Sequence, residues 1–257
     1  MTGTTDDAAA TDVPATYADY AAGRTDPRFT AWLRARTEPA WTDAVAHPFT
    51  EDLGAGTLDP DAFADYLVQD YAFVDALVSA FGYAVGQAPD VAVKRPFVEF
   101  LETVTDDEDD YFRRSFAALE VPPCRWQHPE PTDTTEAFVD LLGRAARQGG
   151  YAETLAVLVP AEWIYEAWAT SVAETHGDPD TAPPSAGADL PDPYAEWIDL
   201  HAVPSFVEFV AWLRGQLDDV GPELSARREA RVRRLFRRTV DLEVAFFDAA
   251  HPGKEVA

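Results

Sequence analysis

The amino-acid sequence predicts an all-α fold, a single-domain helical bundle. Apolar residues recur at spacings of three and four over long segments, which is the period of an amphipathic helix. No segment shows the sustained alternation of a strand, and no linker separates two independent cores. With 257 residues, 47% of them hydrophobic, the chain can bury most of its apolar surface in one bundle.

The helical segments begin at Phe29 and are separated by breaks rich in proline, glycine or aspartate. Residues 1–27 are small, acidic and poor in large apolar side chains, so we expect a poorly ordered tail before a domain over residues 28–252. The low-complexity stretch 176–192 predicts the longest loop, either an insertion or a lid. We predict a short helical turn after His47 and helices over residues 29–45, 60–87, 93–119, 133–147, 150–175, 192–216 and 222–249.

The chain is strongly acidic. Its 46 Asp and Glu residues against 20 Lys and Arg give a formal charge of −26, which argues against nucleic acid or an anionic membrane as a partner. Only Lys94 and Lys254 are lysines. Such a composition suits concentrated salt, where the Debye length falls to about 3 Å at 1 M and the repulsion between carboxylates is screened. We therefore predict a halophilic source.

Cys124 is the only cysteine, which excludes an intramolecular disulfide and a thiolate metal cluster. It follows the sequence EVPP in an expected loop, and we interpret it as an incidental thiol. No apolar run approaches the ~20 residues needed to span a bilayer, and the N-terminus lacks the basic and apolar regions of a signal peptide. The sequence therefore predicts a soluble, cytoplasmic protein.

Three acidic residues interrupt apolar helical stripes. Asp70 lies in the middle of the stripe of its helix, four residues after Tyr66. Glu243 holds a similar position in the last helix, three residues before Phe246. Glu162 lies within the apolar stretch LAVLVPAEWIYEAW. At these spacings all three carboxyl groups are expected to point into the bundle.

An unpaired buried charge is costly, so each of these carboxyl groups needs a partner, a proton or a wet cavity. One interpretation pairs each of them with an arginine, among Arg144, Arg147, Arg234 and Arg238. The other is a polar pocket, in which carboxyl groups with raised pKa values bind a ligand and transfer protons. Three such residues on helices far apart in sequence favour the pocket.

Aromatic side chains lie in the same helices as these carboxyl groups. They are Phe73, Phe138, Trp163, Tyr165 and Trp197, in a chain with 12% aromatic residues. Such rings form either core or a ligand cage. Carboxyl groups flanked by flat rings would suit a neutral or cationic heteroaromatic ligand.

The sequence offers no metal motif of the kind found in helical bundles. None of the five histidines follows an inward-facing acidic residue at a spacing of three or four. A phosphate-binding glycine loop and a nucleophile elbow are also absent from the sequence. We therefore expect neither a metal nor another cofactor.

Four stretches, in this order, resemble the TenA family of aminopyrimidine hydrolases (thiaminase II). They are HPFTEDLGAGTLDPDAFADYLVQDYAFV, GGYAETLAVLVPAEWIY, PYAEWIDLH and LEVAFFDAAH, so that the resemblance covers residues 29–251. It implies the haem oxygenase-like bundle shared with the PqqC group, with a pocket for 4-amino-2-methylpyrimidines from thiamin or its breakdown products. In that reaction water displaces the exocyclic amine and gives hydroxymethylpyrimidine for salvage. The resemblance also implies a homo-oligomer, usually a tetramer.

Three residues match functional positions of the family. Asp70 matches the aspartate that binds the pyrimidine ring, Glu243 the glutamate that transfers protons, and Tyr165 a pocket tyrosine. We predict catalytic roles for Glu243, Glu162 and Asp70. We predict substrate contacts for Asp70, Tyr165, Phe73, Phe138, His201 and Trp163.

The departures from the family pattern concern the nucleophile. Ala161 occupies the position of the family's cysteine, so a covalent cysteine adduct cannot form. Phe73, Phe138 and His201 stand where the family has tyrosines. The chain thus resembles the cysteine-lacking TenA_E branch, which is associated with amino- or formylamino-pyrimidines and in which a glutamate takes over part of the chemistry. We predict that Glu162 has this role.

Three other functions stay open at this point. The first is a deformylase acting on formylaminopyrimidine, and the second is a cofactor-free oxidase step of the PqqC type. The third is a regulatory protein that binds a pyrimidine without turning it over.

Overall fold

The computed structural model describes residues 13–176 and 190–251, and every regular element in these ranges is helical. The predicted all-α fold class is therefore confirmed. A π-helical turn, Val104–Glu108, joins α6 to α7, and a 3₁₀ turn, Gly221–Glu223, follows α12. The helices are α1 Tyr17–Ala21, α2 Phe29–Ala35, α3 Ala40–Val45, α4 Pro48–Gly54, α5 Pro60–Gln87, α6 Val91–Thr103, α7 Asp109–Ala118, α8 Pro123–Trp126, α9 Asp133–Gln148, α10 Tyr151–His176, α11 Asp192–Ala202, α12 Pro204–Val220 and α13 Ala226–Ala250.

Helix α10 is the central element of the bundle. It packs against α13, α12, α11 and α9, while α5 packs against α9 and α6. Every residue of α10 from Ala152 to Ile164 is buried, and the helix runs unbroken through Pro160. A helix that is apolar on all sides needs neighbours on all sides. This position explains why the first half of α10, up to Ile164, has no polar face.

Helices α5 and α9 begin at clear side-chain caps. Asp59 accepts hydrogen bonds from the backbone N–H groups of Asp61 and Ala62, and Pro60 takes the first position of α5. The Thr132 side chain caps α9 in the same way, by accepting from the N–H of Thr135. The predicted helices 60–87, 133–147 and 150–175 agree with α5, α9 and α10.

Two predicted helices are interrupted by residues outside any helix, and a third, 93–119, is divided into α6 and α7 by the π turn. The segment 29–45 is divided into α2 and α3, and the segment 192–216 into α11 and α12. Each second piece follows a proline boundary, with Pro39 as the N-cap of α3 and Pro204 as the first residue of α12. Proline disfavours the helical conformation of the residue before it. The prediction of single continuous helices was therefore wrong at both places.

The second half of the predicted N-terminal tail contacts the bundle. Trp32 Nε1 donates a hydrogen bond of 2.9 Å to the Pro14 carbonyl oxygen. The ring of Tyr17, in α1, lies edge-on to Phe29 with a centroid distance of 5.1 Å. Residues 1–12 lie outside the described residues, so the domain boundary at residue 28 stays a prediction.

Most of the predicted loop 176–192 also lies outside the described residues. Across residues 13–176 and 190–251, none of the helices combines the length and the apolar content needed to cross a membrane.

Candidate active site

A cavity of about 650 Å³ opens beside the central helix, within the ~300–1,000 Å³ range of small-molecule sites. Its inner end is formed by α5, α10, α11 and α13, and its mouth by α6, the π turn and α12. The lining residues are Asp70, Phe73, Val74, Leu77, Pro96, Glu99, Phe100, Thr103, Asp107, Glu108, Ala161, Glu162, Tyr165, Trp197, Leu200, His201, Val203, Ser205, Phe206, Glu208, Phe209, Trp212 and Glu243.

Three buried carboxyl groups lie at the inner end of the cavity. Asp70 from α5, Glu162 from α10 and Glu243 from α13 are only 4%, 6% and 2% exposed. All three were predicted to point inward because each interrupts an apolar stripe. The structure brings them together from three helices that are far apart in sequence.

None of these three carboxyl groups has an arginine partner in the described part of the chain. The buried acid that does pair with an arginine is Glu153, whose carboxylate accepts hydrogen bonds of 3.1 and 2.6 Å from Arg228. Among the described lining residues there is no lysine or arginine. The arginine-pairing interpretation therefore does not hold for the cavity carboxyls.

Burial is the largest cause of the altered acidity of these groups. It raises the pKa of Asp70 well above its usual value, and the charge of Glu108 raises it further. The pKa of Glu162 is raised by burial and then by the charges of Glu108 and Asp70. That of Glu243 is raised by burial and then by Asp70 and Glu162. Burial in the cavity therefore favours protonated carboxyls, which can donate hydrogen bonds and protons.

Sequence reasoning missed a fourth carboxyl group, Glu108. It is the last residue of the π turn, it is half-buried, and burial raises its pKa to about 7. A signal was present, because Glu108 lies four residues after the buried Val104 and four before the buried Phe112. The surrounding sequence TDDEDD has the composition of a solvated face, and this concealed the periodicity.

Tyr165 and His201, two of the predicted substrate contacts, line the cavity, and both are held by hydrogen bonds. The hydroxyl groups of Tyr165 and Tyr66 are 2.7 Å apart, so the buried Tyr66 positions Tyr165. The Nδ1 of His201 lies 2.8 Å from the carbonyl oxygen of Trp197, and because a carbonyl can only accept, Nδ1 carries the proton. Burial lowers the pKa of His201 to about 4, so its ring is neutral and Nε2 is an acceptor.

The remaining predicted contacts lie at different depths. Phe73 lines the cavity, and Phe138 packs behind it with a centroid distance of 4.6 Å. Trp163 is not among the described lining residues. Its ring lies 4.5 Å from that of Trp41 and 3.6 Å from the guanidinium carbon of Arg214, so it packs outside the site.

Ala161 does line the cavity. Its methyl group is 4% exposed and offers no nucleophile. Cys124, the only thiol of the chain, is exposed on α8 and is not among the described lining residues. In residues 13–176 and 190–251, no group of three or more His, Cys, Asp or Glu side chains could hold a metal ion.

The fold and the cavity together define an all-helical protein whose ligand site combines aromatic rings with carboxyl groups. Residues 34–252 match the model of the TENA/THI-4/PQQC family. Because the match extends over most of the chain, the protein belongs to this family, as the sequence resemblance predicted.

Three relatives carry the name aminopyrimidine aminohydrolase, and two of them match this chain over most of its length. The one from Halalkalibacterium halodurans is 26% identical over 223 residues, which are 87% of this chain and 95% of that protein. The one from Helicobacter pylori is 24% identical over 220 residues, which are 86% of this chain and 97% of that protein.

Solved structures of TenA homologues are similar over nearly their whole length. The homologue from P. horikoshii has a TM-score of 0.72 at 24% identity, with 87% of this chain and 98% of that chain covered. The homologue from Pyrococcus furiosus has a TM-score of 0.73 at 22% identity, with 86% and 99% covered. At these identities they show the fold, and the predicted haem oxygenase-like bundle of the TenA type is confirmed.

Proposed function

We propose that this protein is an aminopyrimidine hydrolase, similar to thiaminase II but without a cysteine nucleophile. It would release 4-amino-5-hydroxymethyl-2-methylpyrimidine from thiamin breakdown products for thiamin salvage. The observation that carries the proposal is the set of three buried, unpartnered carboxyl groups at the end of an aromatic cavity. The names of these three relatives support the same reaction.

Asp70 binds the pyrimidine in this proposal. A carboxyl group can bond a ring nitrogen and the neighbouring amino group together, and this pairing is strongest when the ring is protonated and the carboxyl is ionised. Burial keeps water from competing for these bonds. Phe73 and Tyr165 contact the ring, with Phe138 behind Phe73, while His201 Nε2 accepts a hydrogen bond. Trp163 has no direct contact in this scheme.

Glu162 and Glu243 divide the hydrolysis between them. Glu162 in its ionised form takes a proton from water, whose oxygen forms a bond to the exocyclic carbon as the C–N bond breaks. Glu243 in its protonated form gives its proton to the departing nitrogen. The protons balance, because one carboxyl gains the proton that the other loses. The two carboxyls are suited to this division, because the charge of Glu162 raises the pKa of Glu243, so that Glu243 holds its proton when Glu162 is charged.

The substitution Glu162→Gln tests the assignment. It keeps the shape of the side chain and removes the base, so turnover of 4-amino-5-aminomethyl-2-methylpyrimidine, followed by mass spectrometry, should fall by about 10²–10⁴-fold. Glu166→Gln is the matched control, because Glu166 lies one turn further along α10 and is not among the described lining residues. Undiminished turnover by Glu162→Gln would contradict the proposed mechanism.

The methyl group of Ala161 favours a second candidate, a pyrimidine-binding regulatory protein without turnover. Binding of hydroxymethylpyrimidine with no reaction of any amine would support it.

Incubation with formylaminopyrimidine separates hydrolysis from deformylation. A PqqC-like step would instead consume oxygen. The cytoplasmic location and the homotetramer stay predictions, and light scattering on the purified protein tests the latter.

A further inference from the structure

The cavity is larger and chemically more varied than a single substituted pyrimidine ring requires. Its inner end holds the three buried carboxyls, but its volume of about 650 Å³ is in the range of sites for drug-sized ligands. The outer half of the cavity is lined by different residues from the inner half. It is lined by Glu108 and by rings that the proposed hydrolysis does not use, namely Phe100, Phe206, Phe209 and Trp212.

We infer that Glu108 and these outer rings form a second subsite, which binds the leaving group of the substrate as a cation with a flat or apolar substituent. The inference rests on the proposed function and extends it. The preferred substrates would be N-substituted aminomethylpyrimidines, rather than the primary amine alone.

Glu108 is placed to face a cation between the mouth and the inner carboxyls. It lies on the cavity wall, and its charge acts on both Asp70 and Glu162. Within the described ranges it has no hydrogen bond or ion pair of its own, and no lysine or arginine lines the cavity to neutralise it. The protein supplies no positively charged partner for this half-buried carboxylate. A cationic ligand would supply one and would stabilise the ionised form of Glu108.

The outer rings offer flat surfaces to the substituent on that cation. Phe100 and Phe209 stack with centroids 4.0 Å apart and an interplanar angle of 9°. The ring of Phe206 lies 5.2 Å from His201, at the boundary between the two halves of the cavity. Aromatic faces attract cations and flat apolar groups, and a neighbouring carboxylate strengthens the preference for positive charge.

The pi-helical turn gives Glu108 its place in this subsite. Helix α6 contributes Phe100 to the mouth, and α7 buries Tyr111 and Phe112 in the core, so the chain between them is anchored at both ends. Single π-helical turns often occur at functional sites. The leaving nitrogen, once it has taken the proton from Glu243 and kept the electron pair of the broken C–N bond, is a free amine, which takes up a second proton from water and departs past Glu108 as an ammonium ion.

A matched pair of pyrimidines separates the contribution of charge from that of shape. The first probe is 4-amino-5-(benzylaminomethyl)-2-methylpyrimidine, whose linking nitrogen is protonated. The second is the corresponding benzyl ether, which has nearly the same shape and no charge. Binding of each is measured by calorimetry on the full-length protein carrying Glu162→Gln, which removes the proposed base so that the amine is not consumed, at pH 8, where a group with a pKa of about 7 is mainly ionised.

Glu108→Gln should weaken binding of the amine by about tenfold or more and change binding of the ether by less than about twofold, as expected for loss of a hydrogen bond between charged groups. Asp106→Asn is the control, since it removes an exposed charge from the same turn and should leave both affinities unchanged. Phe209→Ala should weaken both probes to a similar extent.

Equal loss of both probes in Glu108→Gln, or no loss of either, would overturn the inference. So would binding of the small aminomethylpyrimidine, but of neither benzyl probe, to the Glu162→Gln protein that retains Glu108. These measurements need no turnover, so they stand apart from the proposed reaction. If the amines bind with the expected pattern and are not hydrolysed by the wild-type protein, the proposed function fails while the cationic subsite remains.

Discussion

Burial of the three inner carboxyl groups costs folding free energy. Most buried acids in proteins are paired, as Glu153 is with Arg228. Asp70, Glu162 and Glu243 have no such partner in the described chain, and the charge of Asp70 further raises the pKa of both glutamates. A ligand that supplies hydrogen-bond donors or positive charge offsets this cost. Its binding therefore stabilises the folded protein.

Replacing Glu243 by glutamine should stabilise the protein, in buffer without ligand, above neutral pH. The folded state raises the pKa of Glu243 above its unfolded value of about 4.3. The contribution of the Glu243 carboxyl group to the free energy of unfolding is therefore complete below the unfolded pKa, and it is lost as the pH rises through the folded pKa. Glutamine does not titrate, so the advantage of the variant should grow with pH and reach ~1 kcal/mol or more, which is about 2–4 °C in Tm.

Thermal melts of wild-type protein and Glu243→Gln between pH 5 and pH 9 measure this difference. Asp75→Asn, on the exposed face of α5, removes the same charge outside the cavity and serves as the control. A Tm difference that does not change with pH would contradict the raised pKa of Glu243.

His201 should stay neutral far below the ordinary titration range of histidine. Burial lowers its pKa from about 6.5 to about 4, and the hydrogen bond to Trp197 fixes the proton on Nδ1. Its stabilising effect is thus complete above pH 6.5 and is lost as the pH falls toward 4. Nitrogen NMR of labelled protein, with His201→Gln to assign the signals, should show the Nδ1–H tautomer down to about pH 5. Titration of that signal near pH 6.5 would show that the ring is solvated.

At the level of single residues, interruption of an apolar stripe was the productive signal. It identified Asp70 and Glu243 because the rest of each stripe showed which way the side chain points. The same signal could not give the direction of Trp163. The first half of α10 is buried on every side, so its sequence does not reveal which side faces the cavity. Glu162 and Trp163 are adjacent and point about 100° apart on the helix, so one enters the site and the other packs against Trp41.

At the level of elements, the helices with strong caps were predictable and the junctions were not. The cap at Asp59 and the following proline mark the start of α5 in the sequence itself. Pro204 is a comparable signal for a helix start. The helical periodicity on both sides of it outweighed this signal and led to the prediction of one continuous helix over 192–216. The π turn had no recognised signal, because a single wider turn changes the register too little to disturb the pattern over 93–119.

The ion pair between α10 and α13 should contribute strongly to holding these two helices together. Burial alone would raise the pKa of Glu153, but the hydrogen bonds and charge of Arg228 outweigh it and lower that pKa. Arg228→Ala leaves a carboxylate that is 4% exposed without its partner and should cost ~3 kcal/mol in the free energy of unfolding.

Urea denaturation at pH 7 and pH 4 tests the contribution of this pair. A lowered carboxyl pKa stabilises the fold above the unfolded value and loses this effect as the pH falls, so the cost of Arg228→Ala should shrink at pH 4. Arg227→Ala, at the adjacent exposed position, is the control. An equal effect of the two substitutions would show that the pair contributes little.

For the whole molecule, the charge of the site and the charge of the surface have the same sign. The mouth of the cavity carries the exposed acids Glu99, Asp107 and Glu208, in a chain with a formal charge of −26. Such a field concentrates cations and repels anions. It favours amine ligands over phosphorylated ones before any contact in the inner site is made.

The same net charge should make the stability of the fold depend on salt. Repulsion among 46 acidic residues, opposed by only 20 basic ones, destabilises the compact state when the ionic strength is low. Screening shortens the Debye length from about 10 Å at 0.1 M to about 3 Å at 1 M, so Tm should rise with potassium chloride and level off near 1 M. Chloride is preferred to sulfate for this test, because sulfate also strengthens apolar burial. Circular dichroism melts from 0.05 to 3 M salt measure the effect, and a fold that melts at the same temperature throughout would contradict the prediction of a salt-adapted protein.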